Sequence, residues 1–315
     1  MSNLIMSTMI LSIIMIISSN SWFQTWISFE INMLTFIGWT LHEKHHEAMI
    51  KYFLVQAMGS SLFIASSLLI SPSIDLPEGS HIIYVLPAMA ILIKIGSAPF
   101  HLWYPEVMSM INWSQCMMLT TGQKLGPLFI VYQLNTNVTL FALASSIMGS
   151  VSSLNQTSLR KLMAFSSISH NGWMLMCISL QIHMWVWYFL IYSIINISIM
   201  NILNKMKLSF INQIKTKSTT SKLSLIISIL ALSGLPPTIG FMPKWSIICK
   251  ITLISTMASF ILIFSSLIIM FAYMNMIYNS LFNTHQDETM LKINNKLPLS
   301  WYFLTTLPLI PLILV

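Results

Sequence analysis

Long apolar runs separated by short polar interruptions make up nearly the whole chain. The runs cover about 3–19, 22–41, 49–70, 82–103, 112–133, 138–153, 162–180, 184–204, 222–250, 253–280 and 297–315. Most have the length of a helix that crosses ~30 Å of hydrocarbon, about 17 to 25 residues. They are continuously apolar rather than alternating, which predicts helices and not the strands of a membrane barrel. The expected fold is all-α: a polytopic transmembrane helical bundle of about eleven helices, one integral membrane domain over 1–315. The longest interruption, 205–221, is too short to hold a soluble domain.

Composition sharpens this reading. Of 315 residues, 56% are hydrophobic and only 7% are charged, against about 25% charged in soluble domains. Mean hydropathy is +0.77. Such a chain cannot build a polar shell. The net charge of +7 sits in a few loops, so it implies no nucleic-acid partner. Cys116, Cys177 and Cys249 all fall inside apolar runs and read as core residues, too scattered for a metal or iron–sulfur motif. No basic residue precedes Lys44, so neither a signal-peptide n-region nor an Arg-rich transit peptide is expected. Heavy use of isoleucine, methionine, asparagine and serine, with Arg160 the one arginine, points to an AT-rich coding genome such as a mitochondrial one.

The charges predict orientation. Eleven of the fifteen basic residues fall in interruptions on the face that bears the N-terminus: Lys44, Lys51, Arg160, Lys161, Lys205, Lys207, Lys215, Lys217, Lys222, Lys292 and Lys296. The opposite face holds Asp75 and Glu78, with Lys250 at a helix end. The positive-inside rule places the N-terminus on the matrix or cytoplasmic side. An odd number of spans puts Val315 on the other side.

Lys94, Lys124 and Lys244 fit no loop, and Glu30 also lies mid-span. A charge at the bilayer centre costs about 2.5 to 3.5 kcal/mol even on the lenient insertion scale, so such residues mark function by default. The plainer reading is two buried ion pairs that fix helix packing. Lysine is informative here. Burial disfavours the charged form of an amine and a nearby carboxylate restores it, so a lysine whose partner comes and goes can load and release a proton. Arginine cannot.

Two of these lysines adjoin helix-breaking residues. "IKIGSAPFH" puts Gly96 and Pro99 just after Lys94, and "LSGLPPTIGFMPKW" puts Gly234, Pro236, Pro237 and Gly240 just before Lys244. Irregular backbone at membrane depth is tolerated only where protein or a water cavity satisfies it. Paired breaks in corresponding positions mark inverted-repeat transporters. Breaks in spans four and nine predict two inverted five-helix repeats, about 1–133 and 138–280, with a last helix at 297–315. Near Lys124, Gly126 and Pro127 are expected to loosen span five.

Two histidines are candidate proton carriers. His170 lies mid-membrane in "AFSSISHNGW", where a relay and a structural hydrogen bond fit equally. His101, at the end of span four, is a candidate for proton uptake or release, or an interface residue. "HEKHH" at 42–46 matches H-E-x-x-H, but it lies in a loop and lacks a third ligand, so no metal site is expected. No G-x-G occurs, so this chain carries neither a dinucleotide fingerprint nor a P-loop.

The blocks "EINMLTFI", "EAMIKYFL", "IKIGSAPFHLWYPEV", "SLNQTSLRKLMAFSSISHNGW" and "SGLPPTIGFMPKW" are similar, in order, to the family of subunit 2 of mitochondrial NADH:ubiquinone oxidoreductase, respiratory complex I. The resemblance implies an antiporter-like, proton-translocating core subunit of the mitochondrial inner membrane, with its N-terminus in the matrix and its C-terminus in the intermembrane space. Bacterial members have fourteen helices and animal members lack the first three, which fits about eleven spans. The resemblance assigns Glu30 as the carboxylate partner of Lys94, Lys124 as the central lysine and Lys244 as the lysine of the second broken helix. Lys94, Lys124 and Lys244 would then form a proton path, with His170 and water between them. No cofactor is implied in this chain. NAD, FMN, iron–sulfur clusters and ubiquinone would sit in other subunits. Implied partners are neighbouring membrane subunits, antiporter-like ones among them, and lipids such as cardiolipin. The chain departs from the family at Gly122, where tryptophan is common, and at Asn171, where an apolar residue is usual. Residues alone leave two other readings open: a stand-alone cation/proton antiporter, and a structural subunit that does not pump.

Overall fold

The computed structural model describes residues 2–43, 45–69, 81–216 and 219–281. Residues 297–315, with Lys44, Asp75, Glu78, Lys217, Lys292 and Lys296, lie outside the described residues. Within them the chain is all-helical, with no strand beyond one isolated bridge between Ser158 and Phe210.

The first helices are α1 (Ser2–Ser18), α2 (Trp22–His42), α3 (His46–Leu69) and α4 (His81–Ile95). The short helices α5 (Trp103–Met110), α6 (Trp113–Thr120) and α7 (Gly122–Leu134) follow, then α8 (Thr139–Ser153), α9 (Leu159–Ser179) and α10 (Met184–Met206). A 3₁₀ helix at Ile211–Thr216 precedes α11 (Thr219–Ser233), α12 (Phe241–Ile251) and α13 (Thr256–Leu281). Two compact units result: Met1–Ser145 with Met174–Ile182, and Ser146–Trp173 with His183–Val315. In the first, α1 to α4 pack in chain order and α7 returns against α4 and α1. In the second, α10 packs on α11 and α12, and α13 on α11 and the 3₁₀ helix.

Burial is arranged for an apolar solvent. Phe260, Phe264 and Leu267 of α13 and Leu140 of α8 are exposed, while Ser28, Gln115, Asn171 and Asn196 are buried. Water would drive the opposite arrangement. The serines inside the helices satisfy their hydroxyls locally. Ser12, Ser28, Ser66, Ser145, Ser167, Ser228 and Ser265 each donate to the carbonyl three residues back. This explains how so serine-rich a chain can lie in hydrocarbon, where every polar group needs an internal partner. Among the described residues three helices, α3, α10 and α13, are long and apolar enough to cross a membrane.

The expected breaks in spans four and nine are present, and they share one cap. In α4, Gly96 takes φ +72 and its N–H bonds the Ile93 carbonyl, while the Ser97 N–H bonds the Leu92 carbonyl. In α11, Gly234 takes φ +78 and its N–H bonds the Ala231 carbonyl, while the Leu235 N–H bonds the Leu230 carbonyl. Both are Schellman closures, which need a left-handed residue that glycine supplies at least cost.

Several details differ from the sequence reading. Span four does not stop at Trp103, because α5 carries it on to Met110, with Pro105 tolerated in its first turn. Span five breaks at Thr121, ahead of Gly126 and Pro127, leaving α6 and α7 as half-helices. Lys222, expected in a loop, is buried in the first turn of α11, and Cys249 is exposed on α12.

Candidate functional site

Lys94 closes α4. It stands in the last helical turn, where the unsatisfied carbonyls carry partial negative charge and favour a cation. Its ammonium lies 4.3 Å from the centre of the Phe29 ring, within cation–π range. Neighbouring groups satisfy the broken backbone. The Gln56 amide donates to the Lys94 carbonyl at 3.2 Å, and the Trp103 indole donates to the Ile93 carbonyl at 3.2 Å. Glu30 is half-buried on α2 and follows Phe29, whose ring faces the Lys94 ammonium. Among the described residues Glu30 and Lys94 form no ion pair within 4.0 Å. Lys51 and Glu106 form an ion pair at 2.7 Å, both side chains exposed.

Gly59 on α3 makes room for the Lys94 stem. A methyl there would stand 2.9 Å from Lys94 Cγ and 3.2 Å from the Ala90 carbonyl. Gly59→Ala should therefore displace the ammonium from Phe29 while the flexible stem absorbs most of the clash. If Lys94 carries protons as the resemblance implies, the variant should assemble into its complex with a lowered proton-to-electron ratio, read from coupled vesicles. An unchanged ratio would show that the placement of Lys94 does not matter.

Lys124 follows the Thr121 break in the first turn of α7 and is buried. Its ammonium lies 5.1 Å from the Tyr104 ring centre. Lys94 and Lys124 line one cavity of about 10 Å³, together with Asn32, Tyr52, Gln56 and Gln123. That is room for about one water molecule. The structure thus brings two of the three expected lysines to a shared polar space.

Lys244 and His170 belong to the other unit. Lys244, on α12, reaches back to donate to the Ser233 carbonyl at 2.8 Å, the open end of α11. It lies 5.8 Å from the Trp173 ring centre. A Cβ on Gly234 would stand 3.0 Å from the Lys244 side chain, so glycine serves both the turn and the close approach. His170 is buried, its Nδ1 2.7 Å from the Tyr188 hydroxyl and its ring 5.0 Å from that of Tyr192. Asn196 donates to the Tyr192 hydroxyl at 3.0 Å. His101 is buried in the α4–α5 break, its Nδ1–H donating to the Pro99 carbonyl at 3.3 Å.

The sequence reading missed the aromatic rings facing each ammonium and the amides around the Lys94–Lys124 cavity. A signal for the amides was present: Asn32, Gln56 and Gln123 are each polar within an apolar run. Gly122 and Asn171, the two departures, are accommodated locally. A Cβ at Gly122 would come within 3.1 Å of Met118, and Asn171 is fully buried. The H-E-x-x-H match dissolves, because His42 ends α2 and His46 begins α3.

A helical membrane chain with lysines buried at glycine-capped helix breaks has the features of an antiporter-type proton translocator. Residues 19–269 match the family described as NADH:quinone oxidoreductase/Mrp antiporter, TM, and the chain belongs to that family. Curated relatives named NADH-ubiquinone oxidoreductase chain 2 match over most of the chain. The chain is 37% identical to that of Anopheles gambiae, over 94% of this chain and 91% of the relative. It is 35% identical to that of Locusta migratoria, over 92% and 88%, and 34% identical to that of Loxodonta africana, over 96% and 90%. The fold is shared with a chain of respiratory complex I from Thermus thermophilus, at TM-score 0.78 and 19% identity, covering 88% of this chain and 70% of that one. It is also shared with a chain of the archaeal membrane-bound sulfane sulfur reductase, at TM-score 0.81 and 16% identity, covering 94% and 69%. A chain of the Mrp complex from a Dietzia species aligns at TM-score 0.78 and 14% identity, covering 87% and 59%.

Proposed function

We infer that this chain is a core membrane subunit of respiratory complex I, the H⁺-translocating NADH:ubiquinone reductase of the mitochondrial inner membrane. Electrons pass from NADH to ubiquinone in other subunits, which carry the NAD, FMN, iron–sulfur and quinone sites. This chain moves protons. The relatives' shared name supports a complex I subunit over a stand-alone antiporter.

The observation that carries the mechanism is the setting of the lysines. Each ammonium faces an aromatic ring, and that of Lys244 also donates to the Ser233 carbonyl. Such contacts are weaker than a tight ion pair and leave the proton exchangeable. Glu30 acts on Lys94 at a distance, so a shift of α2 changes how firmly Lys94 holds its proton. Lys94 and Lys124 share a cavity, so loss of charge on one raises the proton affinity of the other. Lys244 is the corresponding site of the second unit, and His170 with Tyr188 a relay beside it.

The finer architecture belongs to the same reading. The chain crosses the membrane about eleven times as two inverted five-helix repeats, 1–133 and 138–280, plus a last helix at 297–315. The N-terminus faces the matrix and the C-terminus the intermembrane space. Two breaks with one shared cap support the repeat. Neighbouring membrane subunits and lipids such as cardiolipin cover the apolar exterior.

The test is Lys124→Met and Lys244→Met in the assembled enzyme. Both should assemble and reduce quinone, and both should pump fewer protons per electron. Full stoichiometry in both overturns the reading.

A further inference from the structure

The lysines do not account for the polar side chains between them. Asn32 on α2 and Gln123 on α7 exchange both of their amide hydrogen bonds. Asn32 Nδ2–H donates to Gln123 Oε1 at 3.0 Å, and Gln123 Nε2–H donates to Asn32 Oδ1 at 3.1 Å. The Tyr52 hydroxyl of α3 donates to the same Gln123 Oε1 at 3.1 Å. Asn32, Tyr52 and Gln123 all line the cavity that Lys94 and Lys124 share.

The placement in the chain matters. Asn32 lies two residues after Glu30, on the helix whose movement would alter the charge felt by Lys94. Gln123 adjoins Lys124 in the first turn after the Thr121 break, at the start of α7. The pair therefore joins the helix of the carboxylate to the half-helix of the central lysine by a route that bypasses Lys94. A doubly bonded amide pair in a low-dielectric site opens as a unit, because one intact bond holds both amides in place. Opening it frees two donors and two acceptors toward the cavity. A water needs 2 to 4 polar partners to settle in such a space. Closed, the pair spends those groups on each other. Opened, it offers them to water beside both lysines.

We propose that Asn32 and Gln123, steadied by Tyr52, form a positioning latch that couples movement of the Glu30 helix to Lys124 and sets whether the cavity between the lysines takes up water. Asn32 and Gln123 are positioning residues. They carry no proton themselves. The latch rests on the proton-path reading of Lys94 and Lys124.

The experiment uses the assembled complex in sealed vesicles, with NADH oxidation and proton uptake measured together. Asn32→Leu and Gln123→Leu should each keep electron transfer, while proton flux per NADH falls toward that of Lys124→Met. The double swap Asn32→Gln/Gln123→Asn keeps an amide on each side and the same combined length, so it should restore pumping. Full pumping in both leucine variants, or no recovery in the swap, overturns the latch. Should the leucine variants fail to assemble, Tyr52→Phe carries the test, since it removes one hydrogen bond and almost no volume. A lowered ratio there supports the latch and an unchanged one overturns it. Lys124→Met, run in parallel, separates the two failures. Full pumping in that variant sinks the lysine path itself, whereas lost pumping there with full pumping in the leucine variants sinks the latch alone.

Discussion

Gly240→Ala is expected to keep this subunit from reaching the assembled complex. Gly240 stands where the chain turns from α11 into α12, and there two segments of backbone nearly touch. A methyl on Gly240 would collide with the Ala231 carbonyl oxygen and lie 3.6 Å from Ile195 Cδ1. No rotamer relieves a clash of Cβ with backbone. Either α11 or α12 must shift. That shift would pull the Ser233 carbonyl from Lys244, whose ammonium it accepts at 2.8 Å. Overpacking costs typically about 1–3 kcal/mol where side chains can yield, and here the obstacle is a carbonyl in a helix end. Losing the lysine's partner in a buried site adds to it. Native-gel abundance of the complex is the measurement. Wild-type abundance would mean that the α11–α12 turn is looser than its geometry indicates. Gly59→Ala, whose clash is with a flexible lysine stem, should assemble, so the pair of variants separates backbone contact from side-chain contact.

Much of this architecture was legible in the residues because hydrocarbon imposes one rule with few exceptions. Backbone polar groups must be satisfied within the protein, so long apolar runs become helices. Gly96 with Pro99, and Gly234 with Pro236 and Pro237, cannot continue a helix, so they located both breaks. The lysines stood out because few amines survive in apolar runs without a reason.

What escaped had physical causes too. Membrane helices are apolar on faces toward lipid and toward protein alike, so periodicity gives no sign of which residue meets which. The Phe29, Tyr104 and Trp173 rings against the ammonium groups could not be read for that reason. The Thr121 break has no proline of its own and shows itself only in the backbone, through ψ −75 at Thr121. Lys222 sits buried although it flanks an apolar run, since α11 begins at Thr219, ahead of the apolar stretch. The burial of His101 against the Pro99 carbonyl follows from the α4–α5 break, which sequence spacing does not show. The amide pair of Asn32 and Gln123 links positions 91 residues apart, a distance at which sequence pattern carries no information.

The central claim is that the buried amines exchange protons instead of supplying a fixed positive charge. Lys124→Arg separates the two directly. Arginine keeps the charge and, like lysine, can face the Tyr104 ring, but it cannot give up its proton. If Lys124 only anchored helices by its charge, arginine would serve nearly as well as lysine, and methionine would be the damaging change. If Lys124 loads and releases protons, arginine and methionine should be equally inactive, with proton transfer slowed by about 100-fold or more. Quinone reduction by other subunits should continue in vesicles made permeable to protons. The measurement is the proton-to-electron ratio of the assembled Lys124→Arg enzyme in sealed vesicles. A ratio as low as that of Lys124→Met is the result predicted, and a full wild-type ratio would contradict the account.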